Sequence, residues 1–281
     1  MRILVTGASG QLGRALVPVL EREHRDVVGT DEKTMDLSDR DAVVGTIAAV
    51  HPDVIVHGAA WTDVDGSEGD PSRAFTVNAL GTRHVAEGAR RVGAHVVLVS
   101  TDYVFDGTLT RPYTEWDATN PLSVYGASKR AAELELDPGW AVVRTSWLFG
   151  RHGHNIVKTI LRLATEEPDR ELRFVDDQRG CPTAAEDLAP VLARLAVGRF
   201  PGTFHVTNQG ATTWFQLARD VLICAGLDPA RVVPVSTSEL GRPAPRPARS
   251  VLDNLALRST GIAQPPDHHE PLERLVKELI A

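Results

Sequence analysis

RILVTGASGQLG, residues 2–13, is the segment that most clearly indicates the fold of this chain. It opens with a short apolar run, continues through three glycines, and ends where apolar side chains begin to recur at helical spacing. The recurring positions are Leu12, Leu16, Val19 and Leu20. An apolar run, a glycine-rich turn and an amphipathic pattern in this order predict a strand, a tight turn and a helix.

The three glycines of this turn have separate roles in the predicted structure. Gly7 permits the tight turn, Gly10 lets backbone amides approach a pyrophosphate, and Gly13 lets the helix pack closely on the sheet. The helix N-terminus adds the positive end of its dipole. We therefore predict a dinucleotide site here, the alternative being a glycine turn without a ligand. Its predicted binding residues are Gly7, Ser9, Gly10, Gln11, Leu12 and Gly13.

The first half of the chain alternates short apolar runs with amphipathic segments. Strands are predicted at residues 2–6, 26–29, 54–57, 95–100 and 141–145. Helices are predicted at residues 12–22, 40–50, 72–92 and 124–136. This alternation predicts an α/β fold with a Rossmann-type doubly wound parallel sheet, in which ligands bind beyond the carboxyl ends of the strands.

The second half is more irregular and predicts a smaller, mainly C-terminal substrate-binding lobe. Helices are expected at residues 184–197, 213–225 and 271–280, and a strand at 204–208. We expect the dinucleotide-binding domain at residues 1–151 and 184–224, and the lobe at 152–183 and 225–281. By composition the proline-rich stretch 242–250 is a disordered linker. An ordered loop that presents Arg246 and Arg249 to an anion is the alternative.

Two further segments, STDYVF at residues 100–105 and YGASK at residues 125–129, carry the predicted chemistry. Tyr125 and Lys129 are four residues apart, so on a helix they face the same side and the ammonium lowers the pKa of the phenol. Thr101 can hold a substrate carbonyl against Tyr125 while a nicotinamide supplies hydride. Thr101, Tyr125 and Lys129 are therefore the predicted catalytic residues of a ketoreductase. A solvated lysine on an ordinary amphipathic helix is the alternative.

Composition favours a soluble enzyme. The 281 residues have a formal net charge of −7, which leaves no basic surface for nucleic acid. No apolar stretch reaches membrane-spanning length, and the chain begins directly with a strand, so we expect no membrane or targeting segment. Cys181 and Cys224 are expected to be free thiols in a reducing compartment. These features together predict a cytoplasmic protein.

The motifs resemble those of the extended short-chain dehydrogenase/reductases, and within them the dTDP-4-dehydrorhamnose reductase family. The resemblance extends over nearly the whole chain. Besides the glycine turn and the two segments above, it rests on AAWTDVD at residues 59–65, RTSWLFG at 144–150, DQRGCPT at 177–183 and TTW at 212–214.

This resemblance implies reduction of the 4-keto group of dTDP-4-dehydro-L-rhamnose to dTDP-L-rhamnose by NADPH or NADH. Thr101 would orient the ketone oxygen and Tyr125 would donate the proton. Lys129 would hold the nicotinamide ribose and depress the Tyr125 pKa. The implied substrate-binding residues are Val64, Thr101, Tyr103, Tyr125 and Trp147. For Trp147, plain core packing is the alternative.

Both NADP(H) and NAD(H) remain open as cofactors. Asp31 follows the second predicted strand, where a carboxylate binds the adenine-ribose hydroxyls and repels a 2′-phosphate, which argues for NADH. Arg14 or Lys33 could offset that repulsion. Further predicted cofactor-binding residues are Asp36, Leu37, Ala59, Ala60, Thr62, Tyr125 and Lys129.

No metal ligands are assigned, although Mg²⁺ is possible by resemblance. The glutamates Glu270, Glu273 and Glu278 have the spacing of any solvated helix. His268 and His269 have no partner at ligand spacing and are expected to be a surface pair.

Departures from the family pattern leave alternatives open. Trp61, Gly66 and Ser67 replace residues more usual in the loop AAWTDVDGSEGDP, residues 59–71, at the expected substrate edge. They are consistent with a 4-ketoreductase for a different nucleotide-linked deoxysugar. Another alternative is a non-catalytic NADP-binding subunit resembling the regulatory subunit of methionine adenosyltransferase. We expect a nucleotide-sugar ligand and a monomer or homodimer.

Overall fold

The computed structural model describes residues 1–22, 26–167 and 169–281. A six-stranded, wholly parallel sheet forms its centre, with the strand order β2-β1-β3-β4-β5-β10. These strands are β1 (Arg2–Thr6), β2 (Asp26–Thr30), β3 (Val54–His57), β4 (His95–Thr101), β5 (Ala141–Thr145) and β10 (Gly202–His205). The direction of winding reverses between β1 and β3, and parallel sheets bind ligands at such a point.

Six short strands lie outside the central sheet and form three pairs. They are β6 (Leu148–Phe149) with β9 (Thr183–Ala184), β7 (Leu172–Val175) with β12 (Val232–Val235), and β8 (Arg179–Gly180) with β11 (Thr212–Thr213). The β8 and β11 pair is antiparallel, and the other two pairs are parallel.

Twelve α-helices connect and cover these strands in the described part of the chain. They are α1 (Gln11–Arg22), α2 (Arg40–Val50), α3 (Val64–Gly69), α4 (Pro71–Phe75), α5 (Gly81–Val92), α6 (Val124–Glu133), α7 (Ile156–Glu166), α8 (Ala185–Gly198), α9 (Trp214–Cys224), α10 (Thr237–Leu240), α11 (Leu255–Ser259) and α12 (His269–Ile280). Side chains cap several of them. Asp39 accepts hydrogen bonds from two amides of α2, and Ser123 accepts one from Gly126 at the start of α6.

Helices cover both faces of the central sheet, as the sequence predicts. On one face α1 and α8 bury side chains such as Leu16, Leu20 and Leu188 against the strands. On the other face α2 and α5 bury Ile47 and Val85. Because the helices shield both faces of the sheet from water, the strands are apolar along their length.

A second apolar core defines the lobe. Helices α7, α9 and α12 pack on β7 and β12 there, with Ile160, Leu217, Val221, Leu272 and Val276 fully buried. The boundary expected at residue 224 is therefore displaced, because α9 packs with the lobe and not with the dinucleotide-binding domain. The reverse holds for α11, whose buried residues pack in the first core.

The predicted helix over residues 72–92 is interrupted. Helix α4 runs into a π-helical turn, Thr76–Leu80, before α5 begins. One extra residue in such a turn changes the side-chain direction, and π-turns are frequent at functional sites. The turn aims Asn78 inward, as described below.

The proline-rich stretch is ordered, so the expected disordered linker is wrong. Its backbone pairs with Arg179: the amide of Arg179 donates to the Ala248 carbonyl, and the amide of Ser250 donates to the Arg179 carbonyl. Directly after it, the amide of Tyr113 donates to the Val251 carbonyl. These paired backbone groups fix the segment. We call residues 242–250 the strap.

Within the described residues, no helix has the length and apolar character needed to cross a membrane.

Candidate active site

A cavity of about 620 Å³ opens at the carboxyl ends of the strands, at the point where the winding reverses. All the residues predicted to bind a dinucleotide line it. They are Gly7, Ser9, Gly10, Gln11, Leu12, Gly13, Asp31, Asp36, Leu37, Ala59, Ala60, Thr62, Tyr125 and Lys129. Thr101 and Trp147 line it as well.

The glycine turn fits a pyrophosphate because side chains are excluded from it. Gly7 has a φ of +71°, and a Cβ there would lie 2.9 Å from the Ala59 backbone. A Cβ on Gly13 would lie 2.3 Å from the Gly7 carbonyl oxygen. The glycine turn thus packs on the chain after β3, and the first turn of α1 packs on the glycine turn, with its amides toward the cavity.

Asp31 directly follows β2, lines the cavity and is held in a tight turn. Its Oδ1 accepts hydrogen bonds from the Lys33 and Thr34 amides and from the Thr34 hydroxyl. The hydrogen bond from the Thr34 side chain is the main reason the pKa of Asp31 is lowered. An ionised carboxylate therefore faces the far end of the cavity. Of the two possible phosphate partners, Arg14 donates to the Ser9 carbonyl of the glycine turn.

A buried histidine that the sequence analysis missed supports the cavity floor. His57 Nδ1 lies 2.7 Å from Thr6 Oγ1 and its Nε2 lies 3.1 Å from Thr82 Oγ1. Burial lowers its pKa to about 3, so the ring is neutral and acts as a polar bridge. The Thr6 hydroxyl also accepts a hydrogen bond from the Ala59 amide, which fixes the loop after β3.

Asn78, from the π-helical turn, was also missed. Its side chain accepts from the Trp61 amide at 2.8 Å, donates to the Trp61 carbonyl at 3.1 Å, and donates to Ser128 Oγ at 2.9 Å. Ser128 in turn donates to the Tyr125 carbonyl. Asn78 therefore ties the cofactor-side loop to helix α6. A polar amide inside an apolar helical pattern was the available signal.

Tyr125 lies at the start of α6, 9% exposed, next to the cavity. Burial raises its pKa above the ordinary value, the negative charge of Asp102 adds to the rise, and Thr101 opposes part of it. This is opposite to the expectation that Lys129 depresses the Tyr125 pKa. The phenol is protonated at neutral pH and can serve as a proton donor.

Lys129 is on the same face of α6 and is 4% exposed. Its Nζ donates a 2.8 Å hydrogen bond to the Val99 carbonyl of β4. Burial lowers its pKa to about 8. The ammonium is thus fixed by the strand at the cavity wall and makes no hydrogen bond to the phenol.

Asp102 adjoins Thr101 and is buried under the site. Its carboxyl accepts hydrogen bonds from the Thr101 hydroxyl at 3.1 Å and from the hydroxyl of Ser250 on the strap. Burial raises the pKa of Asp102 to about 7. The strap therefore reaches the catalytic segment through a buried carboxyl group whose charge changes near neutral pH.

Three motifs that are distant in sequence meet at Trp147. Its ring stacks on Trp214 with centroids 3.6 Å apart, and a Cβ on Gly180 would overlap the ring. Trp214 donates to Gln178 Oε1 at 3.2 Å. Trp147 also has a φ of +46°, an unusual conformation for a bulky residue. The ring is packed against other side chains and also lines the cavity, so the alternative of core packing does not remove it from the reach of a ligand.

A second cavity of about 280 Å³ adjoins the first and carries positive charge. Tyr103, a predicted substrate residue, lines it and contacts Tyr125 edge to face at 6.0 Å. The other polar lining residues are Arg173, Gln178, Trp214, Thr237, Arg242 and Arg246. Of the two strap arginines singled out earlier, Arg246 faces this cavity and Arg249 does not line it.

Asp65 joins the strap to the loop after β3. Its carboxylate accepts two hydrogen bonds from Arg246, at 3.0 Å each, one from Arg242 at 3.2 Å and one from the Ala244 amide. Val64 begins α3 beside it and lines neither described cavity.

The unusual residues of this segment do not reach the substrate edge as expected. Ser67 is buried and donates to the Asp63 carbonyl, and Gly66 approaches the capping carboxylate of Asp63. Trp61 lies at the cofactor cavity, with the Arg73 guanidinium 4.6 Å from its ring centroid.

A buried ion pair lies beneath the catalytic residues. Glu133 of α6 accepts two hydrogen bonds from Arg144 of β5, at 2.8 and 2.9 Å, and one from Ser100 at 2.6 Å. Both charged side chains are at most 6% exposed. The pair locks α6 onto β4 and β5.

The C-terminal glutamates are engaged with cations. Glu273 pairs with Lys277, and Glu278 with Arg151. They do not form the oxygen-rich cluster that Mg²⁺ prefers. Both cysteines are free.

Three features together define an extended short-chain dehydrogenase/reductase. They are the parallel sheet of this strand order, the glycine turn after its first strand, and the buried tyrosine and lysine one helical turn apart. The model of the RmlD substrate binding domain family matches residues 1–281. The chain belongs to the dTDP-4-dehydrorhamnose reductase family.

The relatives and solved structures agree with this assignment. A dTDP-4-dehydrorhamnose reductase of Streptomyces griseus is 45% identical over 93% of this chain and 88% of its own. A dTDP-4-keto-6-deoxy-D-glucose reductase of Streptomyces niveus is 40% identical over 93% of this chain and 91% of its own. The crystal structure of a Bacillus anthracis dTDP-4-dehydrorhamnose reductase in complex with NADP has a TM-score of 0.93 and 39% identity, and covers 99% of both chains. The chain is thus an oxidoreductase that uses a nicotinamide dinucleotide.

Proposed function

We propose that this protein reduces the 4-keto group of dTDP-4-dehydro-L-rhamnose to give dTDP-L-rhamnose. The observation that carries the proposal is the buried, protonated Tyr125 beside Thr101 at a dinucleotide-shaped cavity. Its family supports the same reaction, since relatives along nearly the full chain are named for it.

Each catalytic residue has a distinct task. When bound, NAD(P)H supplies the hydride that reaches the carbonyl carbon. When substrate binds, the Thr101 hydroxyl turns its proton from Asp102 to the ketone oxygen and orients that oxygen toward Tyr125. The Tyr125 hydroxyl gives that oxygen its proton as the alcohol forms, and its raised pKa keeps the proton on the phenol until then. Lys129 holds the cofactor ribose from the cavity wall.

The second cavity is proposed to hold the nucleoside diphosphate of the substrate. Arg173, Arg242 and Arg246 line it, and guanidinium groups bind phosphate oxygens through paired hydrogen bonds. Trp214 offers a flat apolar surface, and Tyr103 lies between this cavity and Tyr125. The sugar would then span from the arginines to Thr101, with Trp147 beside it. Val64 is proposed only as a flanking contact.

NADPH is the proposed physiological donor. The 39% identical structure in complex with NADP favours it, although Asp31 disfavours a 2′-phosphate. Arg14, anchored to the glycine turn, would offset the carboxylate. Asp31→Asn should lower the KM for NADPH several-fold relative to that for NADH. An unchanged ratio of the two KM values would remove Asp31 from cofactor choice.

A second candidate is reduction of a different dTDP-linked 4-keto-6-deoxyhexose. The 40% identical relative named dTDP-4-keto-6-deoxy-D-glucose reductase favours it. The two sugars differ only in ring stereochemistry, so both place a 4-keto group at the same reactive position.

The purified protein would be assayed with dTDP-4-dehydro-L-rhamnose and, separately, with dTDP-4-keto-6-deoxy-D-glucose, with NADPH and then NADH. Oxidation of the cofactor is followed by absorbance and the nucleotide-sugar product by chromatography. A kcat/KM at least ~10-fold higher for the first sugar supports the proposal. The reverse ratio supports the second candidate. Cofactor binding with no turnover of either sugar contradicts both.

A further inference from the structure

A cluster of two histidines and an aspartate lies outside the active site, where α9 meets the start of α12. Asp220, His268 and His269 each present one ligand atom, and these atoms all lie within 4.8 Å of one another. Asp220 is far from the histidine pair in sequence but adjacent in space. The expected surface pair is therefore corrected, since His268 is 1% exposed and has an acidic neighbour.

In each of the three residues one polar atom is anchored and the other faces the cluster. His268 Nδ1 lies 3.2 Å from the Gln209 carbonyl oxygen, and His269 Nδ1 lies 2.6 Å from Asp267 Oδ1. Both acceptors require a proton on Nδ1, which leaves the Nε2 lone pair available in the neutral rings. Asp220 Oδ1 accepts a 2.8 Å hydrogen bond from the side-chain amide of Gln216, so Asp220 Oδ2 is the oxygen that faces the cluster.

Two of the atoms that face the cluster are buried and lack a hydrogen-bond partner among the described residues. They are His268 Nε2 and Asp220 Oδ2. Buried polar groups are almost always paired, so such orphans indicate a ligand. A protonated His269, 3.6 Å from Asp220 Oδ2, could satisfy the carboxylate but would leave His268 Nε2 without a partner.

We propose that Asp220, His268 and His269 bind a divalent transition-metal ion, with Zn²⁺ the best match. Two imidazole nitrogens and one carboxylate oxygen suit Zn²⁺ and not Mg²⁺, which prefers oxygen ligands alone. With bonds of about 2.1 Å, tetrahedral ligand atoms lie about 3.4 Å apart. The separation of His269 Nε2 from Asp220 Oδ2 is already close to that, so small side-chain rotations close the site.

The anchoring contacts match those that orient metal ligands elsewhere. Metal-binding histidines usually donate their other ring N–H to a carbonyl or a carboxylate, which fixes both tautomer and orientation. Here Gln209 and Asp267 supply these acceptors. A bound ion would connect α9, the start of α12 and the loop after β10, so its role is to stabilise the lobe and not to take part in hydride transfer.

The full-length protein, stripped of metal with a chelator, would be dialysed against increasing Zn²⁺, and bound metal counted per chain. One saturable equivalent is expected. Asp220→Asn and His269→Gln should each weaken binding by ~10-fold or more. His269 is largely exposed, so its variant keeps the fold. His51→Asn, which removes an exposed histidine at a left-handed position, should bind as the unaltered protein does.

A second measurement reports on geometry and stability. Co²⁺ bound in place of Zn²⁺ should give visible absorption bands that both site variants lose, and Zn²⁺ should raise the thermal midpoint of the unaltered protein only. The proposal is overturned if no saturable equivalent binds, if binding survives either site substitution, or if His51→Asn abolishes it. Because metal binding is read directly, the result is independent of the reductase assay.

Discussion

At the scale of single residues, the environment of Tyr125 decides what chemistry it can perform. The phenol is buried, faces the charge of Asp102, and receives no hydrogen bond from Lys129, whose ammonium donates to Val99. Its pKa therefore rises, and the neutral phenol is a proton donor over the whole physiological range. In the reductive direction the reaction needs a donor, so the arrangement matches the proposed task.

Replacement of this donor is the first prediction. Tyr125→Phe should lower kcat by ~10²-fold or more, because the ketone oxygen loses its proton source, with little change in the dissociation constant of NADPH. Steady-state kinetics and a fluorescence titration of the cofactor measure the two quantities. Tyr113→Phe is the control, because this buried tyrosine donates to Asp106 away from the cavity. Equal turnover in Tyr125→Phe and the unaltered protein would remove Tyr125 from the mechanism.

Asp102 gives a prediction about pH and stability. Its folded-state pKa of about 7 exceeds the ordinary value of 3.8, so between these values the folded state holds a proton that the unfolded state has lost. The contribution of Asp102 to the free energy of unfolding is then fully present below pH 3.8 and falls as pH rises toward 7. In urea denaturation, the free energy of unfolding of the unaltered protein should fall by roughly 2–4 kcal/mol across this range, relative to that of Asp102→Asn. Parallel pH profiles for the two proteins would contradict this.

At the scale of elements, the strap shows how a proline-rich segment becomes ordered. It is too short and too polar to form a core, yet its backbone pairs with Arg179, and Arg242 and Arg246 pair with Asp65. Its close approach to the loop near residue 107 needs a glycine, since a Cβ on Gly107 would lie 2.7 Å from the Pro247 side chain. The strap thereby forms one wall of the second cavity.

The ion pair of the strap leads to the next prediction. Asp65→Asn removes the charge that holds Arg242 and Arg246, and hydrogen bonds to charged groups contribute about 1.5–3 kcal/mol each. Amide hydrogen exchange in peptides that cover residues 242–250 should become ~10-fold faster or more. Glu87→Gln, which removes an exposed pair with Arg40 and Arg91 elsewhere, should leave this exchange unchanged. Exchange at the original rate in Asp65→Asn would show that backbone pairing alone orders the strap.

At the scale of the whole molecule, several apolar cores and one buried ion pair connect the parts. The dinucleotide-binding domain has a core on each face of its sheet, the lobe has its own core, and the active site lies where the domain meets the lobe. Under the catalytic helix, the pair of Glu133 with Arg144 joins α6 to the sheet. A buried charge of this kind destabilises the fold strongly once its oppositely charged partner is removed.

The global stability of the molecule should depend on this pair. Glu133→Ala leaves the Arg144 guanidinium buried without a carboxylate and should lower the free energy of unfolding by about 3–5 kcal/mol. Chemical denaturation followed by circular dichroism measures the loss. Glu135→Ala, two residues along, breaks an exposed pair with Arg83 and should cost about 1 kcal/mol or less. Equal losses in the two variants would contradict a special role for the buried pair.

Local spacing in the sequence was enough to predict the parallel sheet, the glycine turn and the helix that carries Tyr125 and Lys129. Each signal lies within one element or one turn. The signals are the short apolar runs, the three glycines, and the tyrosine four residues before a lysine. The strands at residues 2–6, 54–57 and 141–145 accordingly agree with prediction to the residue. The departures, such as the interrupted helix over residues 72–92, arise where packing overrides a continuous pattern.

Which distant side chains meet, and what charge they carry, depends on tertiary packing that local spacing does not encode. Asp65 pairs with Arg246, Trp147 stacks on Trp214, and Asp220 lies next to His268. The two residues of each pair are so far apart in the sequence that no spacing rule relates them. The pKa direction of Tyr125 was likewise beyond the sequence, because it follows from burial and from the nearby charge of Asp102. Burial and long-range pairing are properties of the packed chain, whereas spacing is a property of the segment.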